Sequence, residues 1–152
     1  MGLDMFLKGK RYLWSDDEDT VISQEIAKLF PELASHQSRM GRVVNEIAID
    51  AGYWRKANHI HQWFVENVQK NVDDCGNYHV SRGQLERLRE ICQRVLDFKH
   101  LANDLLPRQA GFFFGNTDYD EGYYQDIEQT IEIIDRALSM PNNWEFEYHS
   151  SW

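Results

Sequence analysis

The sequence has few of the features that identify common classes of protein. Only two cysteines occur in 152 residues, Cys75 and Cys92, and their separation excludes a CxxC metal or redox motif. No run approaches the roughly 20 apolar residues of a membrane span, and the first residues lack the apolar core of a secretory signal. We therefore expect a cytoplasmic protein without membrane association, whose thiols are free and buried.

The standard catalytic motifs are also absent. The chain contains no phosphate-binding glycine loop, no dinucleotide fingerprint, no HExxH helix and no GxSxG nucleophile turn. Basic residues are scarce: 16 lysines and arginines against 25 acidic residues give a net charge of −9. Since binding to nucleic-acid phosphates needs a basic surface, direct nucleic-acid binding is not expected. No cofactor or metal is predicted, and the sequence favours a non-enzymatic protein.

Aromatic and apolar residues, by contrast, are plentiful. Aromatic residues make up 13% of the chain and hydrophobic residues 42%, which at this length is enough for one well-packed core. No linker, repeat or low-complexity tract interrupts the sequence. These features predict a single domain spanning residues 1–152.

Alternating apolar residues near both ends of the chain predict strands. Residues 3–14 and 144–149 follow this period-two pattern, and we expect the two segments to pair in one small antiparallel sheet. Residues 43–53 are ambiguous between strand and helix, but their β-branched side chains favour a strand. Residues 78–80 predict a further short strand.

About four helices are expected to pack on this sheet, which gives an α+β fold. The first follows acidic residues 16–19, the second begins at Trp54, the third starts with the capping box of Ser81 and Gln84, and the last spans residues 123–138. The apolar stripe predicted for the first helix comprises Ile22, Ile26, Leu29 and Leu33. The stripe predicted for the last comprises Tyr123 or Tyr124, Ile127, Ile131, Ile134 and Leu138.

The segment from Trp54 to His59 is the first candidate functional site. Two cations, Arg55 and Lys56, precede the amide of Asn58 and the imidazole of His59. At a helix start these residue types can hold a phosphate or a carboxylate, with the indole ring of Trp54 beside the ligand. The alternative is that they are ordinary core and solvated surface positions.

A second candidate is the aromatic run Phe112-Phe113-Phe114, which stands between two glycines. Its rings could stack a planar ligand, together with residues 54–59, or anchor a partner protein. Alternatively the rings seal the core, and the acidic residues that follow cap the last helix. A third segment, Asp73-Asp74-Cys75 with His79, carries metal-ligand residue types, but its spacing matches no established site.

The acidic segment from residue 118 to residue 135 is a candidate surface for a partner. Seven acidic residues and no lysine or arginine occur there. Such a face would imitate the phosphates of a nucleic acid towards a basic protein, although a solvated helix face has the same pattern. The predicted partner-binding residues are Asp118, Asp120, Glu121, Asp126, Glu128 and Glu132.

Several of these segments occur together in a known group of proteins. Residues 1–7 (MGLDMFL), 52–58 (GYWRKAN), 111–120 (GFFFGNTDYD) and 150–152 (SSW) resemble the motifs of a family of small phage and prophage proteins. The resemblance covers most of the chain except about residues 15–42. It implies a phage origin, and small phage proteins of this type often block a host nuclease complex or sequester a signalling nucleotide.

Two functional hypotheses follow. The first is a non-enzymatic inhibitor of a bacterial defence system, such as an anti-CRISPR protein, that acts in the host cytoplasm. Its partner would be a basic host protein, such as a nucleic-acid-binding complex, bound through the acidic surface and aromatic anchors. The alternative is a protein that sequesters or converts a small molecule or nucleotide, with a site at residues 54–59 and 112–114.

Overall fold

A computed structural model of the chain describes residues 2–36, 43–109 and 119–152. The fold is α+β, as the sequence predicts. In chain order the elements are strand β1 (Asp4–Tyr12), helix α1 (Asp17–Lys28), a 3₁₀ helix (Pro31–Ser35), strand β2 (Glu46–Arg55), helix α2 (Asn58–Asn67), strand β3 (Asn77–Val80), helix α3 (Arg82–Asp97), a 3₁₀ helix (Lys99–Leu101), helix α4 (Ala102–Leu105), helix α5 (Glu121–Leu138) and strand β4 (Glu145–Ser151).

The strands form one antiparallel sheet in the order β2-β1-β4-β3. The first and last strands of the chain are therefore neighbours, which confirms the predicted sheet with both termini. Strand β3 pairs with β4 so that Tyr78 lies opposite Tyr148 and Val80 lies opposite Phe146. Alternate residues are buried along β1 and β4, as expected of strands with one covered face.

One predicted boundary is wrong. Trp54 and Arg55 end strand β2, and helix α2 begins only at Asn58. Lys56 adopts the left-handed backbone conformation, with φ of 61°, and this turns the chain between strand and helix. Trp54 fits the helical period of α2 because it is buried, as are the residues on the inner face of that helix.

Contacts divide the chain into two compact units. Met1–Gly9 and Asp50–Trp152 form the first, called the main unit below, and Lys10–Ile49 form the second, called the inserted unit. The prediction of a single domain over residues 1–152 stays a prediction.

Helices α2, α3 and α5 supply most of the core of the main unit. Residues Leu85, Leu88, Cys92 and Val95 of α3 are all buried, as their spacing predicts, and the predicted capping box of Ser81 and Gln84 is present. The stripe of α5 differs from the prediction, because Thr130 and Ile133 are buried while Ile131 and Leu138 are only half-buried.

Gly52 allows strand β2 and helix α5 to approach closely. A β-carbon at this position would overlap the Cγ2 atom of Ile133, so only glycine fits there without a shift of the packed side chain. Farther along α5, the Arg82 guanidinium donates hydrogen bonds to the carbonyl oxygens of Leu138, Met140 and Pro141. These bonds satisfy carbonyl groups at and beyond the helix end that have no partner within the helix.

In the inserted unit, the predicted apolar stripe of α1 is not its buried face. Ile22 and Ile26 are half-buried, Leu29 is exposed, and the buried residues of α1 are Asp19 and Ser23. Asp19 and Ser23 are buried because their side chains make the hydrogen bonds that hold the helix to its flanking segments. The helix is capped by Asp16, whose carboxylate accepts a hydrogen bond from the backbone N–H of Asp19.

Candidate functional site

The side chains of Trp54 and Arg55 lie in different environments. Trp54 is fully buried, and its indole N–H donates a hydrogen bond of 2.9 Å to the hydroxyl of Thr130. Arg55 is exposed, as expected of the next residue along a strand, and its guanidinium lies 3.9 Å from the carboxylate of Asp4. The two side chains therefore do not share one pocket.

The next predicted ligand-binding residues turn the chain into helix α2. The Lys56 backbone N–H donates to the carbonyl of Leu3 at 2.8 Å, and the Asn58 backbone N–H donates to the carbonyl of Lys56 at 2.9 Å. The Lys56 side chain is exposed and Asn58 is half-buried, whereas His59 is buried. Phe112, Phe113, Phe114 and Asp118 lie outside the described residues, so their predicted roles stay predictions.

His59 belongs to a cluster at the start of α5, which we call the His59 cluster (His59, Arg108, Asp120, Tyr123 and Asp126). The imidazole of His59 lies against the ring of Tyr123, with 4.4 Å between the ring centroids. The guanidinium of Arg108 lies 5.4 Å from the centroid of the same ring. The cluster therefore joins the start of α2, the segment after α4 and the first turns of α5.

Asp120 is held firmly within this cluster. Its carboxylate accepts the backbone N–H of Tyr123 at 3.0 Å, which caps helix α5, and it also forms an ion pair with Arg108. The backbone hydrogen bond, followed by the charge of Arg108, lowers the pKa of Asp120 below its usual value. Asp120 is thus an ionised helix cap that neutralises the nearby cation.

His59 and Asp126 have unusual protonation behaviour. Burial, assisted by the charge of Arg108, lowers the pKa of His59 to about 3, so its ring is neutral at physiological pH. Burial also raises the pKa of Asp126 to about 6, with Arg108 opposing the shift and Asp120 adding to it. Shifted pKa values of this kind occur in functional sites and also in structural ion-pair networks.

His59 also has unused hydrogen-bonding capacity. Within the described ranges, the Nε2 atom of His59 is buried and has no hydrogen-bond partner. The cluster therefore contains a neutral imidazole with an unpartnered buried nitrogen and a carboxylate whose pKa is raised.

The acidic residues of α5 fall into two groups. Asp120 and Asp126 belong to the His59 cluster, whereas Glu121, Glu128 and Glu132 are exposed. The exposed three are seven and four residues apart, which places them on one face of the helix. We call this set the acidic face. Asp135 continues it, but its carboxylate is paired with Arg89 of α3.

A hydrogen-bonded relay that the sequence did not reveal links buried His61 and Tyr148 to the exposed residues Asp73 and Trp152. The ring contacts the Tyr148 hydroxyl through Nδ1 at 2.7 Å and the Asp73 carboxylate through Nε2 at 3.1 Å. Because an ionised carboxylate only accepts hydrogen bonds, Nε2 donates to Asp73, and in a neutral ring Nδ1 then accepts from the Tyr148 hydroxyl. Trp152 also donates to Asp73, at 3.1 Å. The relay ties the last residue of the chain to the turn after α2.

The turn from Asp73 to Cys75 accordingly has a structural role. Asp74 accepts hydrogen bonds from the Gly76 backbone and the Tyr78 hydroxyl, while Asp73 accepts a hydrogen bond from His61. Among the described residues, no three acidic, histidine or cysteine side chains are grouped so as to hold a metal ion.

Comparison with known proteins assigns the chain to no family: no family model, curated protein or solved structure matches it. None of the helices in the described ranges is long and apolar enough to cross a membrane. Functional proposals therefore depend on the residues and their geometry.

Proposed function

We propose that this protein is a non-enzymatic binding protein that engages a basic partner through the acidic face of α5. The observation that carries the proposal is the exposed row of Glu121, Glu128 and Glu132. None of these three carboxylates forms an ion pair within the part of the chain that the structure describes, whereas Asp135 at the end of the row is paired with Arg89.

Electrostatic attraction is what such a face would contribute. Charges at the rim of an interface mainly accelerate association and select the partner, and their effect weakens as salt is added. The net charge of −9 adds a long-range field of the same sign. A basic surface that normally holds nucleic-acid phosphates is the natural complement of a row of carboxylates.

The biological setting of the proposal comes from the resemblance to small phage proteins. A phage protein that occupies the basic channel of a host nuclease complex would inhibit host defence without any catalysis. We therefore propose an anti-CRISPR-like or related inhibitor that acts in the bacterial host cytoplasm.

A phage plating assay tests this function. The protein is expressed in bacteria that carry active CRISPR–Cas systems, and the plating efficiency of a targeted phage is measured. We expect the wild type to restore plating against at least one system. The double variant E128Q/E132Q should bind the purified nuclease complex more slowly, on the order of tenfold at low salt.

The matched control is E86Q/E90Q on α3. It also removes two exposed carboxylates that are four residues apart, so the change in net charge is identical. We expect the control to associate like the wild type. If the wild type protects phage against none of the systems, the defence role is wrong. If both double variants lose the same amount, net charge rather than the acidic face is responsible.

The alternative hypothesis, a small-molecule or nucleotide site at residues 54–59 and 112–114, has less support. Arg55 and Lys56 have exposed side chains, while Trp54 and His59 are buried. The four side chains therefore do not combine into one site, and residues 112–114 of this hypothesis lie outside the described residues.

A further inference from the structure

We infer that the sheet of the main unit binds a short stretch of single-stranded nucleic acid by stacking its bases on a row of three rings. The row consists of Tyr53 on β2, Phe6 on β1 and His149 on β4, and we call it the ring row. The inference goes beyond the proposed partner binding and does not depend on it, because it concerns a different surface.

One face of the sheet is covered by helices, and the other carries the ring row. The covered face includes Trp54 and Tyr148, which are fully buried against α5 and α2. Because successive side chains of a strand point to opposite faces, the residues next to these two lie on the other face. There Tyr53 is exposed, and Phe6 and His149 are half-buried, so all three rings can be reached from solvent.

The three rings are neighbours across adjacent strands. Phe6 lies between the other two, since β1 stands between β2 and β4 in the sheet. Its ring centroid is 5.4 Å from that of Tyr53 and 6.0 Å from that of His149, and the planes of Phe6 and His149 differ by only 25°. A row of accessible rings on a sheet is the kind of surface on which successive bases of an unpaired strand stack.

Two cations flank the ring row. Lys8 follows Phe6 by two residues and therefore shares its face, and it has no ion-pair partner within the described ranges. Arg55 follows Tyr53 by two residues on the antiparallel neighbour, so it lies on the opposite side of the row from Lys8. Its side chain is 66% exposed, and its guanidinium lies 3.9 Å from Asp4. Both cations can therefore contact phosphates of a strand whose bases lie on the rings.

The charges directly beside the rings favour a strand over a basic protein, which would meet Lys8 and Arg55 there. The carboxylates of this face are Asp4, which accepts a hydrogen bond from the Tyr53 hydroxyl, Glu147, which lies opposite His79, and exposed Glu145.

The expectation that the chain does not bind nucleic acid came from its net charge of −9, which is an average over the whole molecule. The acidic face belongs to α5, which packs on the covered side of the sheet. Charges farther apart than about 8 Å are largely screened at physiological salt. We therefore expect weak binding that is dominated by stacking and changes little with salt.

Fluorescence anisotropy of the full chain with a short labelled oligothymidylate tests the site. The matched ligand control is an abasic strand of the same length, which keeps the phosphates and lacks the bases. We expect the single strand to bind. The abasic strand and a duplex should bind at least about tenfold more weakly, because stacking contributes about five- to 150-fold in affinity per base.

Two pairs of variants assign the binding to this face. Phe6→Leu should weaken strand binding at least about fivefold. Its control is Phe98→Leu, which also removes an exposed ring of the main unit and should bind like the wild type. Lys8→Gln should reduce the slope of log affinity against log salt by about 0.7, the value for one phosphate contact of a single strand. The control Arg87→Gln, on the exposed side of α3, should leave the slope unchanged.

A second measurement keeps the test valid if a variant is unstable. Added strand should shift the aromatic proton resonances of Phe6 and Tyr53 in the wild-type protein, and those of Phe98 should stay in place. The proposed function is tested independently, since E128Q/E132Q should bind the strand no more weakly than the wild type.

Four results would each overturn the inference. They are no strand binding at millimolar concentration, equal affinity for the natural strand and the abasic strand or the duplex, and unchanged binding by folded Phe6→Leu. The fourth is broadening of the Phe6 resonances that grows with protein concentration in the absence of a strand, which would mean that a second copy of the chain covers this face.

Discussion

The main unit and the inserted unit are stabilised in different ways. The helices of the main unit place rings and aliphatic side chains in a core, where Trp54, Phe64 and Tyr123 are almost completely buried. The inserted unit leaves large apolar side chains exposed. Trp14 is 69% exposed, Leu29 75% and Phe30 47%. One unit is held by apolar packing, and the other depends more on a few polar contacts.

Asp19 shows how the polar contacts work. Its buried carboxylate accepts hydrogen bonds of 2.7 Å from the Arg11 guanidinium and from the backbone N–H of Trp14. Ser23, one turn later, accepts the backbone N–H of Val44 at 3.0 Å. These bonds connect α1 to the segments before and after it. An apolar stripe in the sequence therefore does not identify the buried face when buried polar groups fix the helix.

The largest expected effect is the loss of a core ring. Phe64→Ala should lower the free energy of unfolding by about 3–5 kcal/mol, because the ring is fully buried and stacks on Tyr148 with 4.0 Å between the centroids. The control is Phe30→Ala in the inserted unit, which should change stability by less than about 0.5 kcal/mol because Phe30 is a surface side chain. Urea unfolding measures both. Equal losses would remove the distinction between the units.

A smaller loss is expected from the polar contacts of the inserted unit. Asp19→Ala leaves Arg11 and the Trp14 amide without this acceptor, which should cost about 1–3 kcal/mol. Asp17→Ala is the control, since this residue of the same helical turn is exposed. Hydrogen exchange of the α1 amides measures the effect locally. If Asp19→Ala exchanges no faster than Asp17→Ala, the polar contacts do not stabilise this helix.

Local patterns explain how much of the fold the sequence could predict. Helix α3 was predicted correctly because its cap, Ser81 with Gln84, and its apolar stripe are all local. Strands β1 and β4 were predicted for the same reason. Trp54 was assigned to a helix because a buried residue at the end of a strand also fits the helical period of α2.

The candidate sites depended on contacts that no local pattern reveals. His61 meets Tyr148, 87 residues away in sequence, and Trp54 meets Thr130, 76 residues away. Local sequence patterns indicated His59 but not Arg108, and they grouped Asp126 with the acidic face. One local pattern could have shown that Asp126 differs from the exposed acidic residues: it lies three residues from Tyr123 and therefore near the buried face of α5.

The smallest of the three expected effects is a loss of stability in acid, which should differ between the two units. Burial lowers the pKa of His59 to about 3, against an ordinary value of 6.5. The unfolded chain therefore takes up a proton before the folded chain does. This contribution to stability is fully present above pH 6.5 and is lost progressively as the pH falls towards 3, by at most about 1.4 kcal/mol per pH unit.

Asp126 opposes this trend. Its pKa is raised from 3.8 to about 6, so below pH 6 the folded chain binds that proton more readily than the unfolded chain does. The contribution of His59 is therefore best isolated by His59→Phe, which keeps a ring against Tyr123 but cannot titrate. Between pH 7 and pH 5.5, the wild type should lose about 1 kcal/mol more than His59→Phe.

His100→Phe provides the control, because His100 is an exposed residue that precedes α4 in the same unit. Its pH dependence should equal that of the wild type. Urea midpoints at the two pH values give the comparison, and hydrogen exchange at pH 5.5 shows where stability is lost. Loss confined to the core amides of α2 and α5, with α1 unchanged, would mean that the main unit senses acid through His59. Equal loss in α1 would mean that the two units unfold together, whatever stabilises each of them.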